Sequence, residues 1–230
     1  MTQIHLIGGE KGGVGKSVVA RLLAQYFIDR SIAFTGFDAD RAHGALLRFY
    51  AGFASPVLVD QYESLDTIVE AATHQPERRI LVDLAAQTGE PLTRWMDESQ
   101  LLAVAAELHL HIRYWHVMDS GRDSVEMLRQ LFDRHESRLN YVLVHNQVRG
   151  SDFHIFNDSG LAARAQAYNA AIITIGRVPE STMIKVDDTS SSFWAATQDT
   201  PNTAGLGVLE RERLKAWLSA AYQAIEGVAP

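Results

Sequence analysis

A glycine-rich segment near the start of the chain carries residues that could bind phosphate. It reads Glu10-Lys11-Gly12-Gly13-Val14-Gly15-Lys16-Ser17. Glycines let successive backbone N–H groups converge on phosphate oxygens, and a helix that begins near Ser17 would direct its positive end toward the anion. Lys16 would reach the β- and γ-phosphates, and the Ser17 hydroxyl would ligate Mg²⁺. The segment predicts a phosphate-binding loop.

Carboxylates follow several short apolar runs, where they could hold a metal ion or a water molecule. Asp38 and Asp40 follow Phe37, and Asp83 follows the run Ile80-Leu81-Val82. An apolar run that ends in Asp is typical of a strand that holds Mg²⁺ through a water molecule. The same form recurs by chance, since Val57-Leu58-Val59 is followed by Asp60. Asp38 and Asp40 could alternatively cap a turn at the end of a strand.

The elements that must position these residues are short apolar runs alternating with segments of helical periodicity. We predict strands over 4–7, 32–37, 57–59, 80–82, 109–117, 141–144 and 172–175. We predict helices over 17–29, 65–72 and 91–107, around 125–132, and at the C-terminus after a loop over 198–207. The apolar face of that last helix is assigned to Leu209, Leu214, Trp217, Leu218, Ala221, Tyr222 and Ile225.

This alternation predicts an α/β fold, a three-layer sandwich in which helices cover both faces of a mainly parallel sheet. The length of 230 residues fits one domain over 1–230. In such sheets ligands bind outside the carboxyl ends of the strands. Gly8, Asp38 and Asp83, which end three predicted strands, therefore mark the edge where chemistry is expected.

The string from Lys11 to Ser17 resembles the deviant phosphate loop of the ParA/MinD family of P-loop ATPases. Glu10 stands where the standard loop has glycine, and Lys11 is a second lysine. The resemblance implies that two subunits close over two ATP molecules. Lys11 would then cross to the partner's nucleotide and stabilise charge on the transferring phosphoryl group. The alternative is that Lys11 is a surface lysine near the phosphates.

Further family positions follow in order along the chain. The resemblance implies that Asp40 orients the attacking water near Mg²⁺ and that Asp38 supports the adjacent switch segment. It also favours Asp83 over Asp60, because Asp83 comes after the third strand and helix, as in the family. Two segments depart from the family: Arg41-Ala42 replaces the usual Pro-Gln, and Ala85-Ala86-Gln87-Thr88-Gly89 is a weaker match to the segment that senses the γ-phosphate.

The resemblance also implies a base site. Asn146 would contact adenine and the loop around Pro179 would line the base, although Asn146 could equally be a turn residue. No N-K-x-D guanine signature is present in the sequence, which favours ATP. We therefore predict catalytic roles for Lys11, Lys16 and Asp40, and Mg²⁺ ligation by Ser17, Asp40 and Asp83. Predicted nucleotide contacts are Gly12, Gly13, Val14, Gly15, Lys16, Ser17, Val18, Asn146 and Pro179.

Composition excludes several function classes. Apolar residues are 47% and charged residues 21%, so disorder is not expected. The absence of cysteine removes disulfides, thiolate metal sites and iron–sulfur clusters, and it fits a cytoplasmic protein. The net charge of −7 excludes a generally basic coat for nucleic acid. Local binding of non-specific DNA stays open, through arginines such as Arg48, Arg149, Arg164 and Arg177.

Other surfaces carry weaker signals. We expect no signal peptide and no transmembrane helix. The mixed charges of the C-terminal helix favour docking on the sheet over membrane binding. His109, His111 and Arg113 would share one face of a strand with His116 nearby, and sheet packing is a better interpretation than a metal site.

The preferred hypothesis is a ParA/MinD-like ATPase that dimerises on ATP and moves or positions DNA or another cargo with a stimulating adaptor protein. The Gly15-Lys16-Ser17 ending of the loop and the helix-rich segment after Asn146 are similar to conjugal-transfer, TraL-like members. One alternative is a small-molecule phosphoryl-transfer enzyme similar to dethiobiotin synthetase or cobyrinate amidase, against which Lys11 argues. Another is an inactive nucleotide-gated scaffold, against which Lys16, Ser17, Asp40 and Asp83 argue.

Overall fold

In a computed structural model, which describes residues 2–41, 43–199 and 205–228, the apolar runs form a seven-stranded sheet. Its strands are β1 (Gln3–Gly8), β2 (Phe34–Asp38), β3 (Ala54–Pro56), β4 (Arg79–Asp83), β5 (His111–Met118), β6 (Asn140–Asn146) and β7 (Ala171–Ile175). Their order is β3-β2-β4-β1-β5-β6-β7. Every adjacent pair runs parallel, which confirms the predicted parallel sheet.

Helices cover both faces of this sheet. They are α1 (Lys16–Asp29), α2 (Ala45–Phe49), α3 (Tyr62–His74), α4 (Gly89–Glu98), α5 (Leu101–Glu107), α6 (Arg122–His135), α7 (His154–Asp158), α8 (Leu161–Ala167), α9 (Glu180–Asp188), α10 (Phe193–Thr197) and α11 (Val208–Glu226). One buried cluster joins the sheet to α3–α8, and the second joins it to α1, α2 and α9–α11. The predicted three-layer sandwich is therefore confirmed.

The interior strand β4 shows why these runs are almost wholly apolar. Ile80 and Val82 lie in one buried cluster, and Leu81 lies in the other. Side chains alternate across a strand, so a strand covered on both faces must be apolar at successive positions. All three side chains are fully buried.

Three predicted elements differ from the structure. The strand over 57–59 is wrong: β3 ends at Pro56, and the chain then leaves the sheet while Val57 and Val59 still bury their side chains. The helix over 91–107 is two helices, because Gln100 adopts a left-handed conformation with φ 48° between α4 and α5. The strand over 109–117 begins only at His111, since His109 has φ 55°.

The short helices α2, α7, α8, α9 and α10 have five to nine residues, too few for a reliable periodic signal. In α11, Leu209 was wrongly assigned to the apolar face, since it is 70% exposed. The helix does dock as predicted, with Tyr222 Oη donating to Asp29 Oδ2 at 2.7 Å. Of the predicted loop over 198–207, residues 200–204 lie outside the described part of the chain.

None of the helices within the described ranges has the length and apolar character needed to cross a bilayer.

Candidate functional site

The parallel sheet brings three predicted strand ends to the same edge. Ile7, which precedes Gly8, is in register with Asp83, and Asp83 is in register with Asp38. Because β2, β4 and β1 are neighbours with the same direction, their carboxyl ends meet. The glycine-rich loop that leaves β1 therefore begins beside two buried carboxylates, each at most 2% exposed.

The loop itself needs glycine for two physical reasons. Gly15 has φ 94°, in the left-handed region that side chains rarely adopt. A Cβ atom at this position would also collide with Asn146 Nδ2. That amide donates a hydrogen bond of 2.8 Å to the carbonyl of Val14, so β6 holds the loop in place. The loop conformation thus depends on a residue far away in sequence.

Lys16 lies at the start of α1 and points back along the loop. Its Nζ donates to the carbonyl of Lys11 at 3.1 Å, and Lys16 as a whole is 8% exposed. Burial lowers the pKa of Lys16, while the carboxylates of Asp83, Glu10 and Asp40 oppose that shift. The first turn of α1 has no acidic residue, and Gly15 gives its N-terminus no side-chain cap. Its backbone N–H groups can therefore receive an anion.

Asp83 is the most perturbed carboxylate at this edge. Burial and the neighbouring Asp38 carboxylate raise the pKa of Asp83 to about 7, although Ser17 and Lys16 favour its ionised form. Within the described ranges no donor lies in hydrogen-bonding geometry with either carboxylate oxygen, although the Ser17 hydroxyl is near enough to favour the ionised form. Asp60, the other residue that follows an apolar run, is 67% exposed and lies 3.8 Å from Arg41. The structure thus brings Asp83, and not Asp60, beside Lys16 and Ser17.

Asp38 organises the segment that follows β2. Its carboxylate accepts backbone hydrogen bonds from Leu46 at 2.8 Å, Leu47 at 3.1 Å and Asp40 at 3.0 Å. These bonds hold the start of α2 against the strand end. Asp40 is more exposed and accepts from the backbone of His43 at 2.9 Å. Its charge acts on both Lys16 and Asp83, which places it within the same cluster.

Lys11 is paired within its own chain. Its Nζ lies 3.2 Å from Asp119 Oδ2 and 3.7 Å from Asp123 Oδ2. Although burial opposes the shift, hydrogen bonds from Ser124, Gly121 and Lys11 lower the pKa of Asp119. Sequence reasoning missed Asp119. The available signal was its place directly after β5, at a strand end like those of Asp38 and Asp83.

Arg149 joins this pair from the other side of the loop. It follows β6 in a short 3₁₀ helix, Gln147–Arg149. Its Nε lies 3.4 Å from Asp119 Oδ2, and its guanidinium is close to Gly13. Sequence reasoning named Arg149 for a DNA surface and did not connect it with the phosphate loop.

A cavity of about 270 Å³ lies beside the loop, and Asn146, one of the residues predicted for the base, lines it. Gly15, Val18 and Asn146 line it on one side, and Val178 and Glu180 line it on the other. Pro179, between the last two residues, forms the N-terminal boundary of α9. The cavity also includes Met183 and Trp217, which sequence reasoning had not assigned to it. Trp217 Nε1 donates to the carbonyl of Gly176 at 2.6 Å and so fixes its ring at the wall.

The donor set fits Mg²⁺ only together with a phosphate ligand. Ser17, Asp40 and Asp83 offer oxygen atoms, which Mg²⁺ prefers. Within the described ranges, no group of three or more His, Asp or Glu side chains could hold a metal ion without further ligands. Mg²⁺ is usually held by one or two carboxylates, water and substrate phosphates. The oxygens of Asp83, buried with no described donor in hydrogen-bonding geometry, are consistent with such a site.

The other arginines proposed for DNA binding make their contacts in different parts of the structure. Arg48 donates to the carbonyl of Asp187 at 2.9 Å, and Arg164 pairs with Asp133 at 2.6 Å. Arg177 lines the cavity beside the loop. The described contacts therefore do not join these arginines into one group.

The fold and the site define the class of protein. The chain has the fold of MinD from Aquifex aeolicus in its complex with MinC, with a TM-score of 0.59, 13% identity, and coverage of 97% of this chain and 96% of that one. It is also similar to apo McdA from Cyanthece, with a TM-score of 0.53, 13% identity, and coverage of 98% and 100%. These likenesses confirm a P-loop NTPase fold of the ParA/MinD type.

Two sequence relatives match nearly the whole chain. Protein MobD from Acidithiobacillus ferrooxidans is 23% identical and covers 98% of this chain and 97% of its own length. Protein TraL from Escherichia coli is 24% identical and covers 94% and 93%. No family model matches the sequence. The predicted ParA/MinD-like and TraL-like character is thus confirmed as a likeness of fold and of sequence.

Proposed function

We propose that this protein is an ATPase of the ParA/MinD type, with residues 1–230 acting as one P-loop domain in the cytoplasm. The observation that carries the proposal is the position of the phosphate loop between two complementary features. On one side lie the buried carboxylates at the ends of β2 and β4, and on the other lies the cavity of about 270 Å³. A nucleoside triphosphate needs such an arrangement, with phosphates over the loop and the base in the cavity.

The loop and the cavity are proposed to bind different parts of the nucleotide. Backbone N–H groups of Gly12, Gly13, Val14 and Gly15 would bind the phosphates, with Lys16 reaching the β- and γ-groups. Val18, Asn146 and the loop at Pro179 would contact the base. Ser17, Asp40 and Asp83 would hold Mg²⁺, which would neutralise charge on the phosphate oxygens.

Asp40 is proposed to orient the attacking water. The water oxygen would form a bond to the γ-phosphorus as the bond to the β-phosphate oxygen breaks, which gives ADP and inorganic phosphate. Asp40 is suited to this role because it is partly exposed, at 33%, and acts electrostatically on both Lys16 and Asp83. A more buried carboxylate would have little access to water.

Lys11 is proposed to act across a dimer that forms when ATP binds. In the described chain its Nζ pairs with Asp119 at 3.2 Å. A triphosphate carries more negative charge than a carboxylate, so a partner's nucleotide could replace Asp119 as the stronger anion. Lys11 would then stabilise the developing charge in the partner's site. Hydrolysis removes that anion and would open the dimer.

The similarity to TraL, together with the resemblance to conjugal-transfer, TraL-like members, supports a role in conjugal transfer more than one in cell division. One solved relative is a MinC:MinD complex, which supports an adaptor partner that reads the ATP-bound dimer. Binding of that dimer to non-specific DNA stays open. A membrane is not the expected surface, because the C-terminal helix α11 is docked on the sheet through its apolar face.

The first experiment measures solution mass with Mg²⁺ and either no nucleotide, ADP or ATP. Asp40→Ala is used to suppress turnover, with Asp60→Ala as a matched exposed control. We expect a monomer with ADP and a dimer only with ATP. A mass that does not respond to nucleotide, with ATP still bound, would instead favour a small-molecule enzyme or a static scaffold.

A further inference from the structure

A second cavity, of about 260 Å³, lies between α4 and α6 against β5. It shares no lining residue with the cavity proposed for the base. Leu92, Met96 and Met127 give it apolar walls, while Glu10, Tyr114 and His116 make one end polar. Such a combination of apolar wall and a few polar groups is typical of small-molecule sites. Nothing in the nucleotide chemistry proposed above uses this space.

The polar end contains a buried imidazole with spare hydrogen-bonding capacity. His116 is 2% exposed, and its ring donates to the backbone of Ser124. Burial lowers the pKa of His116 to about 4, so the ring is neutral near pH 7. Its Nε2 has no hydrogen-bond partner within the described residues. With the other ring nitrogen assigned as the donor to Ser124, Nε2 carries a lone pair and can accept from an N–H or O–H group.

Glu10 adds a carboxylate to the same end. It occupies the place at which a standard phosphate loop has glycine, and its carboxylate accepts a hydrogen bond from the backbone of Gly89 at the start of α4. Burial raises the pKa of Glu10, while Gly89, Lys16 and Arg134 favour the ionised form. The cavity therefore presents two acceptors, a carboxylate and a neutral imidazole, close to an apolar wall.

These acceptors select the charge of the ligand. The charged side chains that line the cavity are two carboxylates, Glu10 and Glu90, and one guanidinium, Arg134, so negative groups outnumber positive ones. An anion would have to lie beside the Glu10 carboxylate, whereas an ammonium group could donate to both that carboxylate and the imidazole. The volume sets the size: an engineered cavity of about 150 Å³ takes benzene, so about 260 Å³ takes a body of about ten non-hydrogen atoms.

We propose that the cavity between α4 and α6 binds a small amphipathic amine, with its ammonium group between Glu10 and His116 and its apolar body against Leu92, Met96 and Met127. Since Glu10 belongs to the phosphate loop, an occupant would contact that loop directly and act as an effector. The effector role rests on the proposed ATPase function, but binding itself does not.

Methionine methyl groups provide the test, because they report separately on the two cavities. Met96 and Met127 line the proposed amine site, and Met183 lines the base cavity. The full-length protein, with ¹³C-labelled methionine methyls and without nucleotide, is titrated with 2-phenylethylamine. We expect saturable shifts of Met96 and Met127 and none of Met183. The control ligand 3-phenylpropionate, which has a similar body and the opposite charge, should bind at least about tenfold more weakly.

Two variants make the result specific. Glu10→Gln should weaken amine binding about tenfold, since it removes a charged hydrogen-bond acceptor. Leu131→Trp, which fills the cavity from α6, should abolish the amine shifts and leave the Met183 response to ATP intact. Equal binding of the anion, unchanged affinity in Glu10→Gln, or amine shifts at Met183 would overturn the proposal. If the amine binds but ATP does not shift Met183, this site stands and the proposed ATPase function fails.

Discussion

Lys16 and Lys11 share one loop but differ in their surroundings, and this difference separates their expected roles. Lys16 is buried, and its Nζ contacts the loop carbonyl of Lys11. Lys11 extends away from the loop to Asp119, with its side chain 19% exposed. Lys16 is therefore placed to contact the proposed nucleotide of its own chain. Lys11 could contact a partner's nucleotide only after its ion pair with Asp119 breaks.

Lys16→Ala should abolish measurable ATP binding, a loss of about a hundredfold or more, because it removes a charged donor from the phosphates. Isothermal titration with Mg²⁺ and ATP measures this loss. Lys215→Ala is the matched control, since Lys215 is half-exposed and pairs with Glu212 on α11. Micromolar ATP binding by Lys16→Ala would contradict the assignment of the phosphate loop.

Lys11→Ala should keep ATP binding within about tenfold of the unaltered protein and fail to form the ATP dimer. The reason is that its own nucleotide is held by the rest of the loop, while the crossing charge is lost. Sedimentation with Asp40→Ala as the background measures the dimer, and Lys185→Ala, which loses only its pair with Glu210, is the control. A normal ATP dimer would rule out the crossing lysine.

At the scale of elements, the start of α2 depends on one carboxylate. Asp38 accepts three backbone N–H groups, from Leu46, Leu47 and Asp40. The helix has only five residues and would not form on its own. The buried carboxylates of Asp38 and Asp83 repel each other. The hydrogen bonds accepted by Asp38 nevertheless order the segment that carries Asp40.

Asp38→Ala should lower the free energy of unfolding by about 2 kcal/mol, because buried N–H groups lose their acceptor, and this loss exceeds the relief of repulsion with Asp83. Urea unfolding measures the change. Asp60→Ala, at an exposed turn, should change stability by less than about 0.5 kcal/mol. Equal effects of the two substitutions would show that Asp38 does not hold α2 in place.

At the scale of the whole molecule, buried histidines couple stability to pH. Burial lowers the pKa of His5 to about 3, and those of His116, His135 and His145 to about 4. His5 Nδ1 accepts from Trp115 Nε1 at 3.1 Å, which requires a neutral ring. The unfolded chain therefore takes up protons below pH 6.5 that the folded chain does not.

Stability should consequently be full above about pH 6.5 and fall as the pH decreases toward about 4, by about 1.4 kcal/mol per pH unit for each net proton taken up on unfolding. Asp83, with its pKa raised to about 7, binds a proton in the folded state and opposes part of this fall. Urea unfolding at several pH values measures the slope. His5→Gln, which keeps an acceptor for Trp115, should reduce the slope, whereas His74→Gln on the surface of α3 should not.

Whether the sequence predicts a residue of the candidate site depends on whether local or long-range contacts position that residue. The phosphate loop, Asp38 and Asp83 were predictable, because each lies next to the strand that positions it. Asp119 was overlooked and Asp60 was an open alternative, since an Asp after an apolar run has the same form whether or not the run joins the sheet. Trp217 in the base cavity and the split between α4 and α5 were not predictable, because contacts from distant elements decide them.

The sequence by itself determined the α/β alternation, the parallel sheet and the place of the glycine-rich loop between β1 and α1, since local apolar periodicity and glycine spacing encode them directly. Only the tertiary structure decided that Asn146 contacts Val14, that Lys11 pairs with Asp119, and that Glu10 and His116 line one cavity. The physical reason is strand order. β1 lies between β4 and β5, and β6 is next, so residues more than 100 positions apart meet at one edge.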